Sequence, residues 1–198
     1  MKKILSLIVM LVLSVNCKAQ PIQDISAQGW QNTSGVYYKD INNNLDAFEG
    51  TYLYTDGDDS FRIVFQKKSN VSVANRYTED LIIGEYRFVL DGIEKVNTLS
   101  DINASLPKES MHRIDGNHVL VGTERGCTDC STNEKRLLLS ITDPTTESVG
   151  QLFVRRITVS GQDAIKIFVQ WNSKYRHVSE PATVPPSFGG EYILIKQP

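Results

Sequence analysis

Beyond residue 48, apolar and polar residues alternate in short runs through most of the chain. Thr51–Tyr54 and Phe61–Phe65 alternate on either side of Asp56-Gly57-Asp58-Asp59, which reads as strand, turn, strand. Leu81–Leu90 places Tyr86, Phe88 and Leu90 on one face and Glu85 and Arg87 on the other, and Asp91-Gly92 then turns the chain into Ile93–Leu99. Five further β-rich runs follow: His118–Val121, Arg136–Ile141, Gln151–Val159, Ala164–Trp171 and Glu191–Lys196. Gly, Pro, Asn or Asp separates them, and the pattern predicts nine strands.

No run of eleven or more residues keeps the i, i+3, i+4, i+7 apolar spacing of an amphipathic helix between a start cap and a stop. A short helical turn is expected only around Asn97–Ser105. Strands at short spacing without intervening helices predict a single all-β, antiparallel domain over 48–198. A lipocalin-like β-barrel is preferred over a two-sheet β-sandwich, because an up-and-down meander running from Phe48-Glu49-Gly50-Thr51-Tyr52 to the last strand can pair its ends and remove both edges. Residues 20–47, polar and carrying Asn42-Asn43-Asn44, read as an irregular lead-in, with Trp30, Val36, Tyr37 and Tyr38 available to pack. Ser179–Gly190, with three prolines and two glycines, reads as a stiff connection to the last strand.

The first residues are of another kind. Lys2 and Lys3 precede the twelve residues Ile4–Val15, apolar except for Ser6 and Ser14. A bilayer span needs about 20 such residues, whereas an export signal needs roughly 7–15 behind a basic start. The segment is expected to be a signal peptide. Cys17-Lys18-Ala19 gives the small-x-small pattern for cleavage after Ala19, leaving a signal of 1–19. The competing reading cuts before Cys17, after a lipoprotein signal of 1–16, and lipidates that cysteine; Asn16 stands where such sites usually carry a small residue. The expected location is therefore periplasmic or extracellular, alternatively the outer membrane through a lipid on Cys17.

Composition and charge narrow the partners. At 40% apolar residues and 198 residues in length, the chain can bury a conventional core. Its formal charge is −2; loss of residues 1–19 removes three of the 21 basic residues and none of the 23 acidic ones, which leaves −5. No basic excess exists to neutralise a nucleic-acid backbone or to hold an anionic membrane surface.

Candidate chemistry is sparse. Cys127-Thr128-Asp129-Cys130 is the sharpest local feature, and in an oxidising compartment it reads as a small structural disulfide that pins a loop. Its β or loop flanks differ from the helix N-terminus that activates thioredoxin-type pairs. His112 and His118 bracket Asp115-Gly116 and are weak candidates for a metal site with the two thiols; exposed histidines beside a turn are the plainer reading. Asp56, Asp58 and Asp59 read as a solvated hairpin tip, since no calcium-loop spacing begins there. There is no Gly-x-Ser-x-Gly elbow, no His-Glu-x-x-His and no phosphate-binding glycine loop, so no catalytic residue and no cofactor is assigned. Aromatics on the strands could line a cavity or simply form the core.

Phe48-Glu49-Gly50-Thr51-Tyr52, Tyr77-x-Glu79-Asp80-Leu81-Ile82-Ile83-Gly84-Glu85-Tyr86, Asn97-Thr98-Leu99, Cys127-x-x-Cys130 and Gly190-Glu191-Tyr192-Ile193-Leu194-Ile195-Lys196 together resemble an uncharacterised family of small exported Bacteroidota proteins, a domain of unknown function. The resemblance implies a Gram-negative exporter and supplies no catalytic residues. Gly50-Thr51-Tyr52 is loosely similar to the Gly-x-Trp with which lipocalins begin, with Tyr where Trp is expected. The expectation is a non-enzymatic binding or interaction module of the cell envelope, whose partner is a small molecule or an envelope protein. An envelope thiol or hydrolytic enzyme built on Cys127 and Cys130, and a passive lipoprotein, are the alternatives.

Overall fold

A computed structural model describes residues 19–29, 32–172, 186 and 188–198. Cys17, Trp30, His177 and most of the Pro-rich connection lie outside them. Eleven strands occur among the described residues: β1 Ile22–Asp24, β2 Tyr37–Lys39, β3 Gly50–Asp56, β4 Asp59–Val73, β5 Tyr77–Leu90, β6 Ile93–Asn97, β7 Ile114–Val121, β8 Lys135–Asp143, β9 Ser148–Val159, β10 Gln162–Trp171 and β11 Gly190–Lys196. All nine runs read from the alternation are strands. The expected short helical turn is a 3₁₀ turn over Leu99–Asn103.

Eight of these strands close a barrel in the order β5-β4-β3-β11-β10-β9-β8-β7 and back to β5, each pair antiparallel. The ends of the meander meet as the pattern implied, with Leu53 opposite Ile195 and Tyr52 opposite Lys196. The second edge of β5 is long enough to take three partners in turn. Its start pairs in parallel with β2 at Thr78 and Glu79, its middle with β7 at Ile82–Gly84, and its end with β6 at Arg87–Leu90. Strand β6 is thus an arm beside the ring and not one of its staves.

Alternation sends one residue in two into the lumen, where Phe61, Ile63, Tyr86, Leu152, Ile167 and Leu194 are buried without measurable exposure. Gly84 is glycine for a local reason. It faces Phe65 across β4 and β5, and a Cβ there would stand 2.8 Å from the Phe65 ring. The missing side chain lets an aromatic ring lie over the strand.

The lead-in over 20–47 departs from the irregular segment expected. It contributes β1 and β2, and it sends Ile25, Val36, Tyr38 and Leu45 into the same core as the lumen residues, followed by Phe48. Asp40 fixes this plug. Its buried carboxylate accepts from the backbone amides of Asn44 and Leu45, both at 2.8 Å, and pairs with Lys67 Nζ at 3.0 Å. Asp80 fixes it from the barrel side, accepting from the Tyr37 hydroxyl at 2.6 Å, the Asn70 amide at 3.0 Å and the Asp40 amide at 3.0 Å. Burial and the bond to Asp80 push the Tyr37 hydroxyl up to about 12.

A second aromatic plug is Phe188, whose ring packs against Phe61, Tyr86, Phe88 and Trp171 at centroid distances of 4.9–5.3 Å. The Trp171 indole N–H donates to the Phe188 carbonyl and holds the segment before β11 in place. The contacts with Phe61, Tyr86 and Trp171 are edge-to-face, and aromatic pairs of this kind add about 0.5–1.5 kcal/mol each beyond simple burial. Among the described residues, the centre of the barrel is therefore occupied by protein side chains.

Candidate functional site

With the lumen filled, the outer wall is the surface that offers chemistry. Cross-strand registration on β8, β9, β10 and β11 sets its outward residues in three rows. Ser140, Gln151 and Gln170 form a polar row; Leu138, Phe153 and Phe168 an apolar one; Arg136, Arg155 and Lys166 a cationic one. His118 extends the apolar row through its register with Leu138, and Glu191 ends it opposite Phe168. The Phe153 and Phe168 rings lie 6.2 Å apart, and Phe168 is 44% exposed, unusual for so large an apolar side chain on a strand.

The segment between β7 and β8 leans over this wall and makes a groove of it. Cys127 and Cys130 are joined by a disulfide with Cα atoms 5.5 Å apart, as the spacing led one to expect. Arg155 ties the loop down: it donates to Glu134 Oε1 at 2.5 Å and Oε2 at 3.1 Å, and to Asp129 Oδ2 at 2.7 Å. The Arg155 guanidinium holds the Asp129 carboxyl below its ordinary range. Arg136, only 5% exposed, donates to the carbonyls of Gly122 and Glu124, and no carboxylate among the described residues is paired with it. Its Nε has no partner among the described residues. The groove measures about 280 Å³ and is lined by Arg125, Arg136, Arg155, Lys166, Phe153 and Phe168, with Asp129 and Glu191 at its margins. A second hollow of about 500 Å³, beside the lead-in plug, is lined by Asn44, Ala47, Phe48, Lys135, Arg156 and Asp163; its one aromatic, Phe48, is buried.

Among the described residues, His112 and His118 are not brought into one group of metal-binding donors. His118 is exposed on the outer wall, whereas His112, expected to be exposed beside a turn, is 3% exposed and bonded through Nδ1 to Glu85 Oε1 at 2.7 Å. Glu85 keeps the outward face predicted for it but is buried there, 1% exposed. The segment after β6, ending in the 3₁₀ turn Glu109–Met111 and His112, folds back over that part of β5 and takes it out of solvent. The group of donors nearest to a metal-binding arrangement among the described residues is Cys127, Asp129 and Cys130. Its sulfurs are already joined to each other, and a disulfide lacks the thiolate that binds a metal. The rows on the outer wall were missed by the sequence reading. The signal lay in Gln151-x-Phe153-x-Arg155 and Lys166-x-Phe168-x-Gln170, two strands with the same three residue kinds in opposite order.

Fold and groove define a closed β-barrel with a side-chain-filled lumen and a cationic, aromatic groove on its outer wall. The chain matches, over residues 1–197, a family described as a family of unknown function (DUF6705), and it belongs to that family. No curated protein and no solved structure matches it significantly.

Proposed function

We propose that this protein is an exported, non-enzymatic binding module of the cell envelope that engages its partner through the outer wall of the barrel. One observation carries the reading: the lumen is packed with side chains, while the wall beside the disulfide presents a groove lined by aromatic and cationic side chains, of which Phe168 and Arg125 are exposed. Small barrels that carry ligands inside need an open interior, so a surface role suits this one better. Export is supported by Lys2-Lys3 ahead of the apolar run and by a disulfide of the kind that persists in oxidising compartments. On this reading the mature chain begins at Gln20, or Cys17 carries a lipid and holds it at the outer membrane. The partner is a small molecule or an envelope protein, and the acidic overall charge speaks against nucleic acid. The thiol-enzyme alternative is disfavoured because Cys127 and Cys130 lie in a loop after the 3₁₀ turn Glu124–Gly126, without the helix N-terminus that activates redox thiols.

The test has two arms. Expression of the full chain in a Gram-negative host, with fractionation and intact-mass measurement, should recover a periplasmic product starting at Gln20 or a membrane product acylated at Cys17. A cytoplasmic product that keeps Met1 sinks the export reading. Nuclear magnetic resonance titration with envelope extracts should shift signals of Phe153, Phe168 and Lys166 and leave those of Phe61 and Ile167 in place. The reverse pattern would return the binding site to the lumen.

A further inference from the structure

The chemistry of the groove selects among partners. It gathers four cations, Arg125, Arg136, Arg155 and Lys166, against the two carboxylates Asp129 and Glu191, in a chain whose overall balance is acidic. Arg155 is matched by Asp129 and Glu134, and Lys166 by Glu191 at 2.9 Å. Arg125 and Arg136 have no acidic partner among the described residues, and the Arg136 guanidinium is almost wholly buried against the carbonyls of Gly122 and Glu124. An uncompensated buried cation projects a field that is weakly screened, so an anion in the groove is favoured.

Shape and hydrogen bonding then limit what bears that anion. The Phe153 and Phe168 rings offer an apolar platform, while Gln151 and Gln170 lie opposite each other in the adjacent row, with amide donors and acceptors. Rings for the face of a sugar, amides for its hydroxyls and cations for an acidic substituent are the three elements that recognition of an acidic sugar requires. An extended peptide is less well served. Strands β9 and β10 are hydrogen-bonded on both sides within the closed ring, and so no free edge is offered for main-chain pairing. A groove of about 280 Å³ is also small for a helix of 10–12 Å diameter.

We infer that the groove binds an anionic glycan, with a sugar ring against Phe153 and Phe168 and its carboxylate or sulfate toward Arg125, Arg136 and Lys166. The inference rests on the proposed outer-wall role and specifies its ligand class.

The experiment uses the full, disulfide-bonded chain, isotope-labelled, titrated with four probes: an oligogalacturonate, a sulfated heparin-type oligosaccharide, a neutral malto-oligosaccharide and oligoglutamate. The first two distinguish carboxylate from sulfate. At least one of them should shift Phe153, Phe168 and Lys166 and bind about tenfold tighter than the neutral sugar. Phe168→Ala, at an exposed position, should weaken that binding about tenfold with thermal stability retained. Arg125→Asn, which tolerates the left-handed backbone found there (φ 54°), and Lys166→Gln should each weaken it about threefold and flatten its salt dependence. Equal binding of the neutral sugar, preference for oligoglutamate, or full binding by Phe168→Ala overturns the glycan inference but leaves the outer-wall reading standing. If no probe shifts the outer wall and envelope extracts shift only lumen residues, both fail.

Discussion

Glu85 and His112 meet beside the seam where β5 and β7 close the ring, with Oε1 2.7 Å from Nδ1 and both side chains 1% exposed. Glu85 Oε1 also lies 3.3 Å from the Arg113 amide, and Glu109 stands 3.5 Å from His112 Nε2. A buried pair of this kind is felt most when one partner is removed, because the other keeps its desolvation cost without compensation.

Glu85→Ala is expected to destabilise the fold by about 3 kcal/mol, a fall in Tm of roughly 6–12 °C for a chain of this size. His112→Ala should cost a similar amount. The double variant should lose clearly less than the two single losses together. Urea unfolding of the four proteins measures the coupling, and strict additivity would show that the pair does not act as a unit.

Asp115, opposite Ile83 on the same seam, gives the stability a pH dependence. Burial, reinforced by the nearby Glu79 charge and opposed by His112, raises its carboxyl from 3.8 to about 6. Between those values the folded protein holds a proton that the unfolded chain has released. This contribution to stability is therefore greatest at the acid end, declines as pH rises from about 4 to 6, and stays lost above, by up to about 3 kcal/mol. Asp115→Asn should abolish that slope and be more stable than the parent at pH 7. Denaturant midpoints at pH 4, 5, 6 and 7 decide it; parallel curves for the two proteins would refute the assignment.

The Cys127–Cys130 disulfide closes a very short loop, and chain entropy alone gives it about 2 kcal/mol. Replacing both cysteines by Ser should lower stability by about that amount and speed hydrogen exchange over residues 122–134. Amides of β9 and β10 should keep their protection, because the ring closes without the loop. Hydrogen exchange followed by mass spectrometry separates the two regions.

Asp40→Ala removes the acceptor of two backbone amides and the partner of Lys67. A loss of about 3 kcal/mol is expected from the buried amides left unpaired. Release of the plug should also admit a hydrophobic dye to the core and expose residues 20–47 to protease before the strands are cut. A variant that resists protease there as well as the parent would show that apolar contacts alone retain the plug.

The alternation of Tyr86 and Phe88 against Arg87 was legible because a strand with one buried face must repeat every two residues; Phe168, read with the other strand aromatics as core or cavity lining, instead stands 44% exposed on the outer face. The turns Asp56-Gly57-Asp58-Asp59 and Asp91-Gly92 were legible for an equally local reason: few residues suit their backbone. Glu85 was misread on the same rule. Its side chain does point away from the lumen, but alternation says nothing of what later covers that outer face, and the segment ending at His112 covers it.

Local physics, then, belonged to the sequence: period, turn chemistry, the absence of helix spacing and the proximity of two cysteines each depend on residues a few positions apart. That the lead-in becomes a plug, that β6 is left beside the ring, and that Gln151, Phe153 and Arg155 line up with Gln170, Phe168 and Lys166 were decided only in three dimensions. Those arrangements depend on register between distant strands and on competition for one edge of β5, where burial and hydrogen bonding choose among partners that the linear order leaves equivalent.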